Sequence, residues 1–268
     1  MKIEQVNSTI PATEYLWKYL DIHKFLYLIR EQKIFFTRFD KFEDPHEGLP
    51  YGLIMNKFQS DQVIPEDRLN NKIFLNEKEK RQYLSNAEKI RSKKKQEILG
   101  FQQKNFASCW FMDDERESVA MWKLYSNPDS VCIVLKLADL ENQLRAYATK
   151  VNIPLSGTFY YGPVWYGKIY PPDLINPNIP PQIPDGFMKD ECFSHEKEYR
   201  FLINSKKPEN QVFFYEFPVI EIENLIVNIK AHPNMEEWKT DNIRDLLQLN
   251  LMQKFNPSTI KLNLGTPL

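Results

Sequence analysis

The sequence predicts an α+β fold in a single domain over residues 1–268, with a mixed β-sheet core, flanking helices and a charged helical insertion at about 55–104. Short apolar runs typical of strands alternate with amphipathic helical segments, and the chain has no evident repeat or domain linker. Hydrophobic residues make up 42% of the chain and aromatic residues 13%, which is enough for a sizeable core.

Charge and cysteine content exclude several classes of protein. Thirty-five basic and 36 acidic residues give a net charge of -1, so no overall field favours nucleic acid or an anionic membrane. The three cysteines lack the spacing of a zinc site and the even number of a disulfide framework. The first 15 residues lack the apolar segment of a signal peptide, and no apolar run reaches membrane-spanning length. We expect a cytoplasmic protein without a membrane or nucleic-acid partner, while its oligomeric state is not predicted by any pattern.

The first elements are a strand, a helix and a second strand. Residues 15–20 read as a strand, and Asp21 then caps a helix whose apolar positions recur every three or four residues. Residues 34–37 form the next strand. An ordered loop over 38–48 follows, since it contains an Asp-Pro step and closes on a glycine.

The insertion at about 55–104 reads as charged helix. Asn76, with Glu79 three residues later, resembles a capping box. Residues 77–97 carry eight basic and four acidic side chains, a local excess of +4. No aromatic residues interleave with the basic run at 93–95, so a solvated helix face is favoured over a contact with RNA or DNA.

The stretch 105–137 reads as the rigid centre of the fold. It predicts a strand over 106–111, a polar turn, a helix over 117–125 and a buried strand over 131–135. On that helix Ser118, Trp122 and Tyr125 share one face, because residues three and four apart are neighbours.

The remainder predicts a helix over 139–150, further strands, and a parallel crossover unit at the end of the chain. The strands are expected at 159–165, 198–203, 212–217, 225–229 and 259–264, with a helix over 236–249 before the last of them. The segment 154–184 holds eight of the 18 prolines and should be irregular. It is either a moving lid or a static connector, and the stiffness of proline favours the connector.

Several chemistries lack the residues they need. The eight glycines form no dinucleotide fingerprint, and a P-loop spacing at Gly157 and Gly162 has Pro163 in the place of the lysine. The four histidines are isolated, so a histidine-rich metal site is not expected. Cys109 lies in an apolar strand without an adjacent base, which favours a buried structural thiol over a nucleophile.

The strongest candidates for catalysis are Glu196, Glu198 and Arg200. If a strand begins by Glu196, alternation puts all three on one face. The core face then takes Tyr199, Phe201 and Ile203. A glutamate there could accept a proton or hold a ribose hydroxyl, and Arg200 could pair with a phosphate or orient a carboxylate. The alternative is an exposed strand face with cross-strand ion pairs.

Further ligand-binding candidates come from the 38–48 loop and the central helix. Asp44 and Glu47 could bind a cation or cap a helix, and Arg38 could meet an anionic substrate. Trp122 and Tyr125 could stack on a ligand ring, although packing in the core is the favoured alternative.

Four blocks of sequence, taken in order, resemble the bacterial domain-of-unknown-function family 2971. They are Lys18-Tyr19, the run Thr-Arg-Phe-Asp-Lys-Phe-Glu-Asp-Pro-His-Glu at 37–47, Met-Trp-Lys-Leu-Tyr at 121–125, and Lys189 followed by Glu-Lys-Glu-Tyr-Arg at 196–200. The chain departs from the family pattern at Glu43, Leu124, Ser130 and Phe193, and Leu124 stands where a histidine is frequent. This family is similar to abortive-infection proteins of the AbiGi type, and its layout resembles that of ADP-ribosyltransferases.

The resemblance implies a cytoplasmic bacterial enzyme of the ADP-ribosyltransferase-like or nucleotide-handling type, active in phage defence, with NAD as its cofactor or substrate. Glu198 would stabilise a ribose oxocarbenium ion, Arg38 or Arg200 would hold phosphate, and Lys189 belongs to the same motif. One alternative is a non-catalytic binding or antitoxin-like module. Another is a metal-dependent nuclease using Asp44, Glu47 and Glu196. It is disfavoured because no acidic cluster in the sequence has a recognisable spacing of metal ligands. The enzyme hypothesis requires Arg38, Asp44, Trp122, Glu198 and Arg200 to converge on one concave surface.

Overall fold

The computed structural model describes residues 2–10, 12–54, 76–150, 157–169, 183–208 and 211–261. In this part of the chain, helices surround a ten-stranded mixed sheet and a separate two-stranded sheet, which confirms the predicted α+β class. The strands are β1 (Lys2–Gln5), β2 (Tyr15–Asp21), β3 (Lys33–Arg38), β4 (Asn105–Met112), β5 (Ser130–Lys136), β6 (Thr158–Pro163), β7 (Trp165–Gly167), β8 (Met188–Asp190), β9 (Glu198–Asn204), β10 (Phe214–Pro218), β11 (Ile226–Ala231) and β12 (Phe255–Pro257).

The described helices pack around this sheet. They are α1 (Ile22–Glu31), α2 (Glu77–Gln102), α3 (Val119–Tyr125), α4 (Leu137–Lys150), α5 (Ile222–Leu225), α6 (Glu237–Leu246) and α7 (Leu249–Met252), with 3-10 turns at Phe39–Lys41 and Glu191–Glu196. None of them is both long and apolar enough to cross a membrane.

Both predicted helix caps are present. The Asp21 side chain accepts a hydrogen bond from the backbone N–H of Lys24 at 2.9 Å, which starts α1 where β2 ends. The Asn76 side chain accepts from the backbone N–H of Glu79 at 2.9 Å and starts α2. Most of α2 is exposed, as expected of a solvated charged helix. The first part of the predicted insertion, residues 55–75, lies outside the described residues.

Strand β4 lies at a fork in the main sheet. The strand order is β1-β6-β9-β4-β2-β5-β11-β12, with β3 joined to β4 and β10 joined to β3. Strand β9 pairs with one edge of β4 along residues 105–111. The other edge is divided, because β3 pairs with residues 106–107 and β2 pairs with residues 111–112. Within the described part of the chain, residues 108–110 of β4 therefore have no strand partner on that side, and β2 and β3 diverge around an opening.

The two faces of the sheet are covered differently. The largest hydrophobic cluster lies on one face and takes Tyr199, Phe201 and Ile203 from β9, as the alternation predicted. Since side chains alternate along a strand, Glu198 and Arg200 point to the opposite face. That face is covered by the loop after β3, the β7–β8 pair and the second 3-10 turn. The hydrophobic cluster on this face is smaller than the one on the opposite face, and buried polar groups lie beside it.

The C-terminal crossover is parallel, as predicted, but its boundaries differ. Helix α6 ends at Leu246, because Leu247 takes extended backbone angles and buries its side chain in the core. Strand β12 lies at Phe255–Pro257, earlier than the predicted 259–264. Ser258 and Thr259 instead donate hydrogen bonds to the buried Glu117 carboxylate, which ends the strand ladder. Residues 262–264 lie outside the described part of the chain.

The strands around residue 160 also differ from the prediction. The strand predicted over 159–165 is divided at Val164 into β6 and β7. Strand β1, which pairs in parallel with β6, was not expected from the sequence. Residues 154–156 and 170–182 of the proline-rich segment lie outside the described residues, and the prediction of a lid or a connector falls there.

Candidate active site

A cavity of about 790 Å³ opens where β2 and β3 diverge from β4. Its floor is formed by β4 and the start of β9, and its sides by β2, β3, the loop after β3 and the second 3-10 turn. We call this cavity the fork cleft. A volume of this size lies within the range of small-molecule binding sites.

Strand β9 begins at Glu198, so the expectation that it begins by Glu196 is wrong. Glu196 is the last residue of the 3-10 turn, and Lys197 follows in the left-handed region with φ 38°. Asp190 caps this turn by accepting from the backbone N–H of Cys192 at 3.1 Å. Despite the break, both glutamates line the fork cleft, and the Lys189 ammonium bonds to both carboxylates.

Arg200 binds the carboxylates of Glu47 and Glu198 on the side away from the cleft. Its guanidinium donates to Glu198 at 2.5 Å, to Glu47 at 2.6 Å and to the carbonyl of Gly186 at 2.7 Å. Gly186 has φ +91°, and an added Cβ would lie 2.5 Å from Leu202, so only glycine presents this carbonyl without strain. Arg200 is 0% exposed and does not line the cleft, which leaves it orienting carboxylates rather than meeting a phosphate.

The buried network contains more negative than positive groups. Lys189 contacts the carboxylates of Glu47 at 3.4 Å and Glu198 at 3.2 Å, and it also pairs with Glu196. Three carboxylates thus share two cations, Lys189 and Arg200. The alternative of an exposed strand face does not hold, because all five side chains are buried. One negative charge is left over when all three carboxylates are ionised.

The two glutamates in the cleft differ in acidity. Burial alone would raise the pKa of the Glu198 carboxyl, but the charges of Arg200 and Lys189 outweigh it and hold that pKa well below its usual value. Burial, followed by the negative charge of Glu198, raises the pKa of the Glu196 carboxyl to about 7. Near neutral pH, Glu198 is therefore an anion and Glu196 can gain or lose a proton.

Helix α3 places two candidate side chains in different surroundings. The Tyr125 hydroxyl donates to Glu196 at the edge of the cleft. Trp122 is buried in a cluster with Tyr19, and its indole N–H donates to Glu117 at 2.9 Å. Trp122 therefore packs in the core, which was the favoured alternative. Its ring is buried and cannot stack on a ligand in the cleft.

The loop after β3 is also divided between the cleft and the interior. Asp44 lines the cleft and accepts from the backbone N–H of His46 at 2.8 Å, while Glu47 lies on the cleft floor against Arg200. Arg38 does not line the cleft; its guanidinium pairs with Asp40 at 2.5 Å and donates to the carbonyl of Val212 at 3.0 Å.

Six of the nine candidate residues thus line one cavity, but of the five residues that were required to converge only Asp44 and Glu198 line it. The six are Asp44, Glu47, Tyr125, Lys189, Glu196 and Glu198. Arg200 lies directly behind them, while Arg38 and Trp122 are buried elsewhere. The described residues contain no group of three or more histidine, cysteine or acidic side chains placed to hold a metal ion.

Lys18 was not among the predicted site residues, although it lines the fork cleft. Its ammonium donates to the carbonyl of Cys109 at 2.8 Å and to the Ser108 hydroxyl at 3.3 Å. The signal was present in the sequence, because Lys18 is the one charged residue within the apolar run 15–20. Burial also raises the pKa of the neighbouring Cys109 thiol to about 12, so this cysteine is a protonated thiol and not a nucleophile.

Glu196→Gln should make the stability of the fold less dependent on pH. A native pKa of about 7 against an ordinary value of 4.5 means that the native state binds the proton more tightly than the unfolded chain. The free energy of unfolding of the wild type should therefore fall as pH rises from 4.5 to 7 through this group. The measurement is urea unfolding of both proteins at pH 5 and pH 8. The free energy of unfolding of the variant, relative to that of the wild type, should be about 2 kcal/mol higher at pH 8 than at pH 5.

Glu43→Gln is the matched control, since Glu43 lines the same cleft but is exposed. It should follow the wild type at both pH values. An equal difference between Glu196→Gln and the wild type at pH 5 and pH 8 would contradict a raised pKa of Glu196.

Comparison with known proteins places the chain in no family: no family model matches it, and no match was found among curated proteins or solved structures.

Proposed function

We propose that the fork cleft binds NAD and that the protein cleaves the bond between nicotinamide and ribose, as an ADP-ribosyltransferase-like enzyme. The observation that carries this proposal is the carboxylate pair Glu196–Glu198, buried against an open cleft in a network that has one negative charge in excess when both are ionised. Its assignment to a bacterial cytoplasmic enzyme in phage defence rests on the family resemblance alone.

The charge of the cleft suits a reaction that passes through a cation. When the C–N bond to nicotinamide breaks, its electron pair leaves with nicotinamide and the ribose carbon becomes an oxocarbenium ion. Glu198, held ionised by Arg200 and Lys189, would stabilise that cation from a fixed position. Such preorganised charge is effective because it needs no rearrangement at the moment of reaction.

Glu196 is suited to the proton transfer that completes the reaction. Water, or a hydroxyl of an acceptor, would attack the ribose carbon and lose a proton to Glu196. A carboxyl with a pKa of about 7 can take this proton at neutral pH and release it to solvent. With water as the acceptor, NAD and water give ADP-ribose, nicotinamide and one proton.

The walls of the cleft offer surfaces for flat rings. Aromatic side chains line both its inner wall and its mouth. They are Trp17, Tyr19, Phe35, Phe42, Trp110, Phe111, Tyr125, Phe193, Phe213 and Phe214, of which Tyr125, Phe213 and Phe214 are about half exposed. Offset or edge-on contacts with aromatic rings favour a nicotinamide or adenine ring over an extended aliphatic ligand.

A binding or antitoxin-like module remains the second candidate, and a specific observation favours it. Every carboxylate in the cleft network is already paired with Lys189 or Arg200, as in a purely structural set of buried ion pairs. Such a module would bind a ligand or partner at the cleft without turning it over.

Incubation with NAD separates the two candidates. We expect millimolar NAD to raise the melting temperature, since a ligand at about 100 times its dissociation constant stabilises the native state by roughly 2.7 kcal/mol. Chromatography should also show nicotinamide released together with free or protein-linked ADP-ribose. A melting shift without nicotinamide release would support the module, and no shift and no release would reject NAD as the ligand.

A further inference from the structure

We propose that Lys18 is the anion-binding residue of the fork cleft and that it takes a phosphate group of a bound nucleotide. The inference deepens the proposed function and rests on it for the identity of the nucleotide as NAD. It concerns binding, and it can be tested whether or not the protein cleaves that ligand.

Lys18 owes its position to the fork in the sheet. It follows Trp17, the last residue of β2 that pairs with β4. Beyond that point β2 turns away, and the Lys18 ammonium reaches back to the unpaired edge of β4, where it bonds to Ser108 and Cys109. It also lies 4.9 Å from the centre of the Trp110 ring. The charge is thus fixed on the cleft wall.

Lys18 differs from the other lysines that line the cleft. Lys24 pairs with Asp21 at 3.0 Å, Lys33 with Glu216 at 2.9 Å, Lys41 with Asp40 at 3.8 Å, and Lys189 with the buried glutamates. The direct contacts of Lys18 are neutral groups, and no carboxylate of the described residues lies within ion-pair distance of it, although the charge of Glu198 acts on it from farther away. Its charge is therefore available to a ligand.

Burial explains why that charge seeks an anionic partner. Desolvation lowers the pKa of the Lys18 ammonium to about 8, so the charged form is held at a cost. A phosphate would provide the counter-charge and replace the lost water. Lysine serves as a point-charge partner for phosphate in many nucleotide sites.

The two charged parts of the cleft match the two charged parts of one ligand. The Glu196–Glu198 pair offers negative charge, and Lys18, which is close enough for the Glu198 charge to act on it, offers positive charge in the same cavity. NAD carries a cationic nicotinamide on one ribose and an anionic pyrophosphate beyond it. A ligand of this kind can satisfy both parts at once, whereas a simple cation or a simple anion satisfies one.

Calorimetric titration with ADP-ribose, which keeps the pyrophosphate but has no bond to cleave, tests the inference. We expect Lys18→Gln to weaken ADP-ribose binding by about 10–100-fold, since a hydrogen bond to a charged group is lost. Lys18→Arg should bind within about 10-fold of the wild type because the charge is retained. Lys24→Gln is the matched control and should change binding by less than about 2-fold, because Lys24 is already paired and its pair is exposed.

Adenosine and inorganic pyrophosphate separate the parts of the ligand. Lys18→Gln should leave adenosine binding unchanged and weaken pyrophosphate binding as much as it weakens ADP-ribose binding. Equal binding of ADP-ribose by Lys18→Gln and Lys24→Gln would overturn the inference. A wild type that binds neither ADP-ribose nor pyrophosphate would overturn it as well.

A second measurement uses only the wild type and so does not depend on the folding of a variant. At pH 9, titrations in buffers of different ionisation enthalpy should show proton uptake on binding ADP-ribose but not on binding adenosine, because the bound phosphate recharges Lys18. Absence of uptake would contradict the assignment. If ADP-ribose binds as expected while NAD is not cleaved, the proposed function fails and the Lys18 inference stands.

Discussion

Arg200→Met is expected to destabilise the protein by about 3–5 kcal/mol, the largest loss of stability among the substitutions considered. Arg200 is 0% exposed, and the Glu47 carboxylate that it holds is 1% exposed. Removing the guanidinium leaves Glu47 and Glu198 with Lys189 as their one cation and leaves the carbonyl of Gly186 without its donor. Methionine fills much of the same volume, so the loss measures charge rather than packing.

Urea unfolding at pH 8 measures this effect, and Arg116→Met provides its control. Arg116 pairs with Glu115 at 3.5 Å on the surface, and exposed pairs contribute little. That control should change the free energy of unfolding by less than about 1 kcal/mol. The deficit of Arg200→Met should shrink toward pH 5, because the stranded carboxylates can then take up protons. A loss of less than about 1 kcal/mol at pH 8 would show that the network does not depend on Arg200.

Local sequence patterns predicted the elements that local physics determines. Asp21 and Asn76 cap their helices as their side chains suggested, since a capping bond spans three residues and needs no distant partner. The alternation of β9 placed Tyr199 and Phe201 in the core, because period two follows from strand geometry. Those predictions needed no knowledge of which strand lies beside which.

The fork and its chemistry depended on contacts between distant residues. The division of one edge of β4 between β2 and β3 is a property of strand pairing, which no local pattern specifies. Lys18 could be recognised as an oddity in an apolar strand, but its place in the cleft follows from that division. Lys197 has a left-handed backbone conformation that ends the 3-10 turn. Strand β9 therefore begins at Glu198 and not at Glu196, where the prediction placed its start.

The largest expected effect on activity belongs to Glu196→Gln. Glutamine keeps the volume of glutamate and can still accept from Tyr125 and Lys189, but it cannot take a proton from water or from an acceptor. Because each turnover needs this second step, the proton transfer, loss of the general base should slow the steady-state release of nicotinamide by about 100-fold or more. Glu198→Gln is a less direct probe, because it also deprives the buried Arg200 of a counter-charge and so changes stability together with activity.

The steady-state rate of nicotinamide release tests the central claim most directly. It is measured with saturating NAD at pH 8 for the wild type, Glu196→Gln and Glu43→Gln, with a melting curve for each. We expect wild-type turnover, a rate about 100-fold lower in Glu196→Gln with a melting temperature no lower than that of the wild type, and a rate within about 2-fold of the wild type in Glu43→Gln. A folded Glu196→Gln protein that releases nicotinamide at the wild-type rate would contradict the claim that the glutamate pair acts on the bound dinucleotide.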